Sequence, residues 1–232
     1  MILILTMLLA AQPPTVGEIL QRFEAALGDP AVARSHESRI VRSTYEEASG
    51  GEAEVFEYYL APDKYLHLMV LDEGLSMRLG TDGKSVWNDT PRGPEIIPAE
   101  KVSPLVRDAV FNRNLELRRI YPQMRVVGAA SVAGRAAWQI EATGADGQKE
   151  QMFFDAASGL LVRRTYAFVL PSGYRVSRDL IYEEYADFDG VRMPSRIRQF
   201  SPGAALFTVH RVDHNADIFE LIFAPPSCGE KK

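Results

Sequence analysis

Cysteine is almost absent: the 232 residues include one, Cys228. A single thiol excludes an intrachain disulfide, a redox pair and a multi-cysteine metal site. Its setting, Pro225-Pro226-Ser227-Cys228-Gly229, is also far from where a lipid-attachment cysteine would close a signal sequence, so it reads as a plain thiol. An excess of positive charge is missing too. Lys and Arg number 26 against 31 Asp and Glu, a net charge of -5, which supplies no electrostatic footprint for nucleic acid. Apolar runs are short, and the one at Met1–Ala11 is too brief for a comfortable membrane crossing. It suits the apolar region of a secretory signal, with small residues Ala10 and Ala11 at a cleavage point. Because a basic stretch before it is lacking, a start lying upstream and a buried segment remain as alternatives. The expected organisation is a signal peptide over 1–11 and one domain over 12–232.

The signatures of catalysis are missing as well. There is no Gly-x-Ser-x-Gly elbow, no His-Glu-x-x-His and no cysteine pair. Gly83-Lys84-Ser85 resembles the end of a phosphate loop, but Arg78 stands where that loop needs glycine. Asp82-Gly83 is better explained as a tight hairpin turn. Of the four histidines, His210 and His214 share a strand face, yet at ~3.3 Å per residue their Cα atoms lie about 13 Å apart, too far for one metal. His36 and His67 have no obvious co-ligands nearby. Glu46-Glu47 and Glu183-Glu184 are adjacent strand residues that point to opposite faces, so neither pair converges on a substrate. The expectation is a binding protein, not an enzyme, with no metal and no cofactor.

Structure-forming signals are abundant by contrast. Thr15-Val16-Gly17-Glu18 is a capping box that opens a helix, and Ile19, Leu20, Phe23, Ala26 and Leu27 fall on one face of it. Gly28-Asp29-Pro30 ends it. From about residue 36 the period becomes two, and turn dipeptides recur at Gly50-Gly51, Pro62-Asp63, Glu73-Gly74, Asp82-Gly83, Asp146-Gly147, Ser158-Gly159, Ser172-Gly173, Asp189-Gly190 and Pro202-Gly203. That is the punctuation of an antiparallel meander. Ser103–Phe111 interrupts it, with a cap residue, a proline at the first helical position and apolar residues three and four apart, which predicts a second helix. The fold class expected is α+β, mainly antiparallel β: an incomplete, half-open barrel curled around two helices.

Individual strands add detail. In Lys64–Leu71 both parities are apolar, so this strand needs cover on both faces. In Val191–Arg198 the odd positions Val191, Met193 and Ile197 face in, while Arg192, Arg196 and Arg198 face water. Those arginines, with Arg163, Arg164, Arg175 and Arg178, read either as a docking face for an anionic membrane or as ordinary solvated strand faces, the plainer of the two. The candidate lining of an apolar interior is Met69, Met77, Leu79, Trp87, Leu105, Phe111, Trp138, Ile140 and Phe153, with Leu75 and Leu160 beside them. Each is individually more at home as plain core. If some line a cavity, every methylene of a bound chain contributes about 0.8 kcal/mol.

The order of motifs resembles that of the periplasmic outer-membrane lipoprotein carriers and lipoprotein-sorting proteins, the LolA/LolB-like fold. The resemblance runs through Leu60-Ala61-Pro62-Asp63-Lys64-Tyr65, Thr81-Asp82-Gly83-Lys84-Ser85-Val86-Trp87, Phe154–Leu161, Tyr185–Pro194 and the closing Phe219–Pro226. It implies a half-barrel whose apolar interior accepts lipid or the acyl chains of a lipoprotein, in the periplasm of a bacterial envelope, with membrane-associated envelope proteins as further partners. One departure stands out. Carriers of the best-known type place an arginine just before the turn proline to hold a helical lid, and here that residue is Ala61. A non-transporting interaction or sensing module on the same fold is the alternative.

Overall fold

The computed structural model describes residues 12–71, 76–90, 93–169, 173–201 and 203–225. The apolar run at 1–11, the Glu73-Gly74 turn, Leu75 and Cys228 lie outside the described residues.

Helix α1, Val16–Ala26, begins with the capping box the sequence encodes: the Glu18 amide donates to Thr15 Oγ1 at 3.2 Å and the Thr15 amide to Glu18 Oε2 at 2.8 Å. Ile19, Leu20 and Phe23 form its buried stripe. Gly28 then turns the chain with φ +110, and a Cβ there would meet the Gly190 carbonyl oxygen at 2.6 Å. Only glycine fits this approach. The helix end is thereby fastened to a distant turn, with Gly28 bridging Val191 and the Arg192 amide donating to the Leu27 carbonyl at 2.8 Å. Asp29 caps a second helix, α2, Pro30–Arg34, through the Ala31 amide at 2.8 Å. This five-residue helix is too short to show a period, so the sequence pattern reads only an end there.

Six strands follow: β1 Ser38–Glu47, β2 Glu52–Leu60, β3 Lys64–Val70, β4 Ser76–Thr81, β5 Val86–Thr90 and β6 Gly93–Ile97. A connecting segment carries α3, Ser103–Ala109, a 3-10 turn at Arg113–Leu115 and α4, Leu117–Ile120. Val102, not Ser103, occupies the cap position of α3 and makes no side-chain cap bond. Seven more strands complete the chain: β7 Gln123–Val132, β8 Arg135–Thr143, β9 Lys149–Asp155, β10 Leu161–Val169, β11 Arg175–Phe188, β12 Val191–Ser201 and β13 Ala205–His214. Against the two helices expected from the pattern, the described residues hold four α-helices, the extra pair being the short α2 and α4.

All 13 strands form one antiparallel sheet in the order β6-β5-β4-β3-β2-β1-β13-β12-β11-β10-β9-β8-β7. Two meanders meet where β1 pairs with β13, and β6 and β7 are left as the outer edges. The segment carrying α3 and α4 therefore spans from one edge to the other. It covers the concave face, where α1, Leu117 and Tyr121 pack on Ile140, Ala142, Met152, Phe154, Leu161 and Tyr182. Phe23 meets Phe154 edge-on at 5.2 Å, and burying such a ring contributes about 1.5–3 kcal/mol.

The convex face has its own cover. Leu66, Trp87 and Phe223 form a buried cluster, and the Trp87 indole Nε1–H donates to the Phe223 carbonyl at 2.9 Å. Strand β3 is thus covered on both sides, fully at Tyr65 and Leu66 and partly beyond them, in keeping with its double apolar parity. Gly80 lies opposite Trp87, where a Cβ would sit 2.7 Å from Cζ2 and 3.1 Å from the Tyr65 carbonyl oxygen. Gly80→Val is expected to cost about 1–3 kcal/mol by overpacking. Urea denaturation followed by tryptophan fluorescence measures it, and an unchanged midpoint would contradict this packing account.

Candidate ligand-binding cavity

Glu150 on β9 shares its inward parity with Met152 and Phe154, so a carboxylate is carried into the core. It is 1% exposed. A buried charge of this kind is tolerated only when paired and fully bonded. Arg164 Nε on β10 meets it at 2.6 Å, Arg107 Nε on α3 at 3.0 Å, and Arg113 Nη2 at 3.8 Å. Asp108 completes the cluster by pairing with Arg164 Nη1 at 2.6 Å and Arg113 Nε at 3.0 Å, and Asp146 pairs with Arg107 at 3.0 Å. Burial opposes the charge on Glu150, but Arg164, then Arg113 and Arg107, outweigh it and bring the carboxyl down to about 2. The consequence is mechanical. Arg107, Asp108 and Arg113 belong to the covering segment, and Glu150 and Arg164 belong to the sheet.

Between cover and sheet lies a cavity of about 380 Å³, within the roughly 300–1,000 Å³ typical of small-molecule sites. Its floor is the inward parity of eight strands: Val41 and Ser43 on β1, Tyr59 on β2, His67 on β3, Leu79 on β4, Tyr166 on β10, Leu180 on β11, Ile197 on β12 and Val209 on β13. Its roof is Val102, Leu105, Phe111 and their neighbours. The wall is not purely apolar. Glu57 accepts from the Tyr65 hydroxyl at 2.6 Å and faces His67 Nδ1 at 3.9 Å. Burial works against the Glu57 carboxylate, but His67, Tyr65 and Arg39 prevail and hold its pKa below the ordinary value. Arg39 lies between the rings of Tyr59 and Phe111, at 4.5 and 5.1 Å from their centroids.

The sequence-derived lining residues separate by location. Leu79, Leu105 and Phe111 lie on this cavity wall. Trp87 borders a second space of about 540 Å³ on the convex face, beside Leu66, Phe219 and Ile222. Ile140 is fully buried beneath α1, and Trp138 and Leu160 pack against the same core, so the helix occupies the surface a ligand would need there. Phe153 points to the opposite face, into a cluster with Val132, Ala137 and Val162. Met69 and Met77 line neither space, and Met77 is 56% exposed near the sheet edge.

The arginine faces divide as well. Arg163 pairs with Asp179, and Arg196 and Arg198 share the one carboxylate of Glu183, so these are ion-paired across strands. Arg164 is 3% exposed inside the ion cluster, which removes it from any membrane-facing surface. Arg178 turns into the cavity, and Arg192, expected to face water, is both exposed and part of the cavity rim. Neither Arg39 nor Glu150 stood out from the sequence. For Glu150 the signal was there: a charged residue on an otherwise apolar parity. Among the histidines, His210 Nε2 bonds Thr44 Oγ1 at 3.0 Å. His214 stacks on His36 at 4.0 Å, and burial, then His36 and Arg39, push its pKa down to about 4. Among the described residues no three His, Cys, Asp or Glu side chains group as metal ligands.

A sheet left open at both edges and closed over by a helical segment is an incomplete β barrel of the LolA-like kind. The chain is similar, with a TM-score of 0.59 and 14% identity, to a LolA superfamily protein from Nitrosomonas europaea, over 91% of this chain and 98% of that one. It is also similar to a putative outer membrane lipoprotein-sorting protein domain from Vibrio parahaemolyticus (TM-score 0.54, 12% identity, 89% and 94% covered). A DUF1329 family protein from Desulfovibrio piger is a third (TM-score 0.56, 10% identity, 90% and 97% covered). At these identities the likeness is one of fold. No family model matches the sequence, and no curated protein is similar to it in sequence.

The ion cluster gives a direct test of the cover's attachment. Glu150→Gln leaves three guanidiniums short of a countercharge and is expected to cost about 3–5 kcal/mol at neutral pH. The native pKa of about 2 lies below the ordinary 4.5, so the wild-type contribution is complete above pH 4.5 and is lost as pH falls toward 2. Denaturant midpoints of wild type and variant should therefore converge through that window. A gap that stays constant down to pH 2 would refute the assignment.

Proposed function

We propose that this protein binds lipid or the acyl chains of a lipoprotein in the half-barrel cavity, within the bacterial periplasm. In its particular form the reading is of a carrier that shields acyl chains during outer-membrane lipoprotein sorting. The observation that carries it is the cavity itself, set between the sheet and an ion-paired helical cover and floored by inward residues of both meanders. Leu79, Leu105 and Phe111 serve as apolar contacts for the chain, with Val41, Leu180 and Val209 opposite them. The fold shared with the Nitrosomonas and Vibrio proteins supports the reading. Residues 1–11 act as the export signal and 12–232 as the binding domain.

A second reading, a non-transporting interaction or sensing module, draws on the convex face. There Phe219 and Leu221 are 71% and 68% exposed beside the second space. Apolar groups presented in this way mark partner surfaces when they are contiguous.

Native mass spectrometry of protein purified from an envelope fraction, with extraction of any bound lipid, tests the carrier reading. Bound lipid, or uptake of a fluorescent fatty acid by delipidated protein, is the expected result. Val209→Trp places a large ring in the cavity and should abolish uptake while thermal unfolding stays cooperative. Failure of the wild-type protein to carry or take up any acyl ligand sinks the reading. Undiminished uptake by the variant would move the site elsewhere.

A further inference from the structure

The cavity wall carries charge of the opposite sign to the protein as a whole. Five arginines line it, Arg39, Arg113, Arg164, Arg178 and Arg192, against three carboxylates, Asp29, Glu57 and Asp108, in a chain of net charge -5. All three carboxylates are engaged. Asp29 caps α2, Glu57 is held by Tyr65 and His67, and Asp108 is divided between Arg113 and Arg164. The guanidiniums of Arg39 and Arg178 have no carboxylate within ion-pair reach among the described residues, and the Nε of each is buried without a hydrogen-bond partner.

Arg39 is the more telling of the two. Tyr59 and, beyond ion-pair reach, Glu57 act on it, and its other contacts are long: Nη2 to the Phe111 carbonyl at 3.4 Å and Nη1 to the Met193 sulfur at 4.0 Å. A guanidinium held between two aromatic rings with most of its donors unspent is an incomplete pair in a low-dielectric site. From it the inward column of β1 runs through Val41 and Ser43 toward the pairing of Tyr45 with Phe207. Six residues at ~3.3 Å each give about 20 Å of wall. Val209 and Phe207 flank that column on β13.

We infer that the cavity selects amphiphiles with an anionic head, a carboxylate or a phosphate, which pairs with Arg39 at one end while the chain lies along β1 and β13. The inference rests on the acyl-binding reading and adds the chemistry of the head. An anion supplies a direct ion pair, where Glu57 acts on Arg39 only from beyond ion-pair reach. A neutral head leaves Arg39 unpaired and forfeits a charge-assisted bond shielded from water. Phe111 of the cover shares the guanidinium, so head capture and cover position meet at one side chain.

Calorimetric titration of the delipidated full chain at pH 8 with laurate, dodecyl phosphate and dodecanol, each below its aggregation limit, tests this. Laurate, dodecyl phosphate or both should bind about tenfold or more tightly than dodecanol, and the tighter of the two identifies the head. Arg39→Met should erase that preference and leave dodecanol affinity within about twofold, while Arg39→Lys should retain part of it. Equal wild-type affinities for all three ligands would overturn the inference and leave acyl binding standing. If Arg39→Met weakens all three alike, Arg39 only latches the cover and the inference again fails. If no ligand binds the wild type, the acyl-binding reading falls and this inference with it. The wild-type comparison decides the matter even if a variant does not fold.

Discussion

A carboxylate taken out of water has to be answered by positive charge, and the answer to Glu150 comes from two parts of the chain at once. Arg164 approaches from the adjacent strand, whereas Arg107 and Arg113 approach from the segment that crosses over the sheet. Neither part satisfies the charge alone. The crossing segment is consequently held at a fixed height above the concave face, and the space left beneath it is the cavity. Apolar packing by α1 and Tyr121 fills the β7–β9 side of that face, which confines the open volume to the side where β1–β4 and β10–β13 supply the floor. The position of the cavity follows from where the ions are paired and where the helix is packed.

The same arrangement bears on the missing lid arginine. Ala61 leaves the turn without the side chain that carriers of the best-known type use, but the turn still touches the cover, since the Phe111 amide donates to the Pro62 carbonyl at 3.0 Å. Arg39, on the strand beside that turn, reaches the carbonyl of the same Phe111. Here the cover is attached through a backbone bond and a buried ion cluster. The cluster spreads over six charged side chains and depends on the ionisation of Glu150.

What could be read in advance was what local rules govern. The Thr15–Glu18 capping box, the Asp82-Gly83 turn and the two-sided cover of β3 each depend on residues a few positions apart, and each is found in the structure. The half-open sheet was legible for the same reason, because hairpin turns announce themselves. The site was less so. Phe153 and Ile140 have the composition of a cavity lining, but one faces the wrong side of the sheet and the other lies under α1. Face assignment needs the bulges and registers that only pairing sets. Arg39 was hidden because both parities of β1 mix polar and apolar residues, Ile40 with Arg42 and Thr44 on one and Val41 with Ser43 and Tyr45 on the other, so neither face reads as the inner one. Arg164 was hidden by Arg163, its neighbour on the solvent side.

The joint between β1 and β13 has a temporal consequence. Every other pairing in the sheet joins strands consecutive in the chain, whereas this one closes residues such as Glu37 and Asn215, which lie 178 positions apart and are bonded at 2.8 Å. Closing so long a loop carries an entropy cost that the local hairpins do not bear. The cavity straddles that joint, with β1–β4 on one bank and β10–β13 on the other. Both meanders can therefore form and still enclose no cavity until β1 meets β13. The cavity arrives with that last pairing.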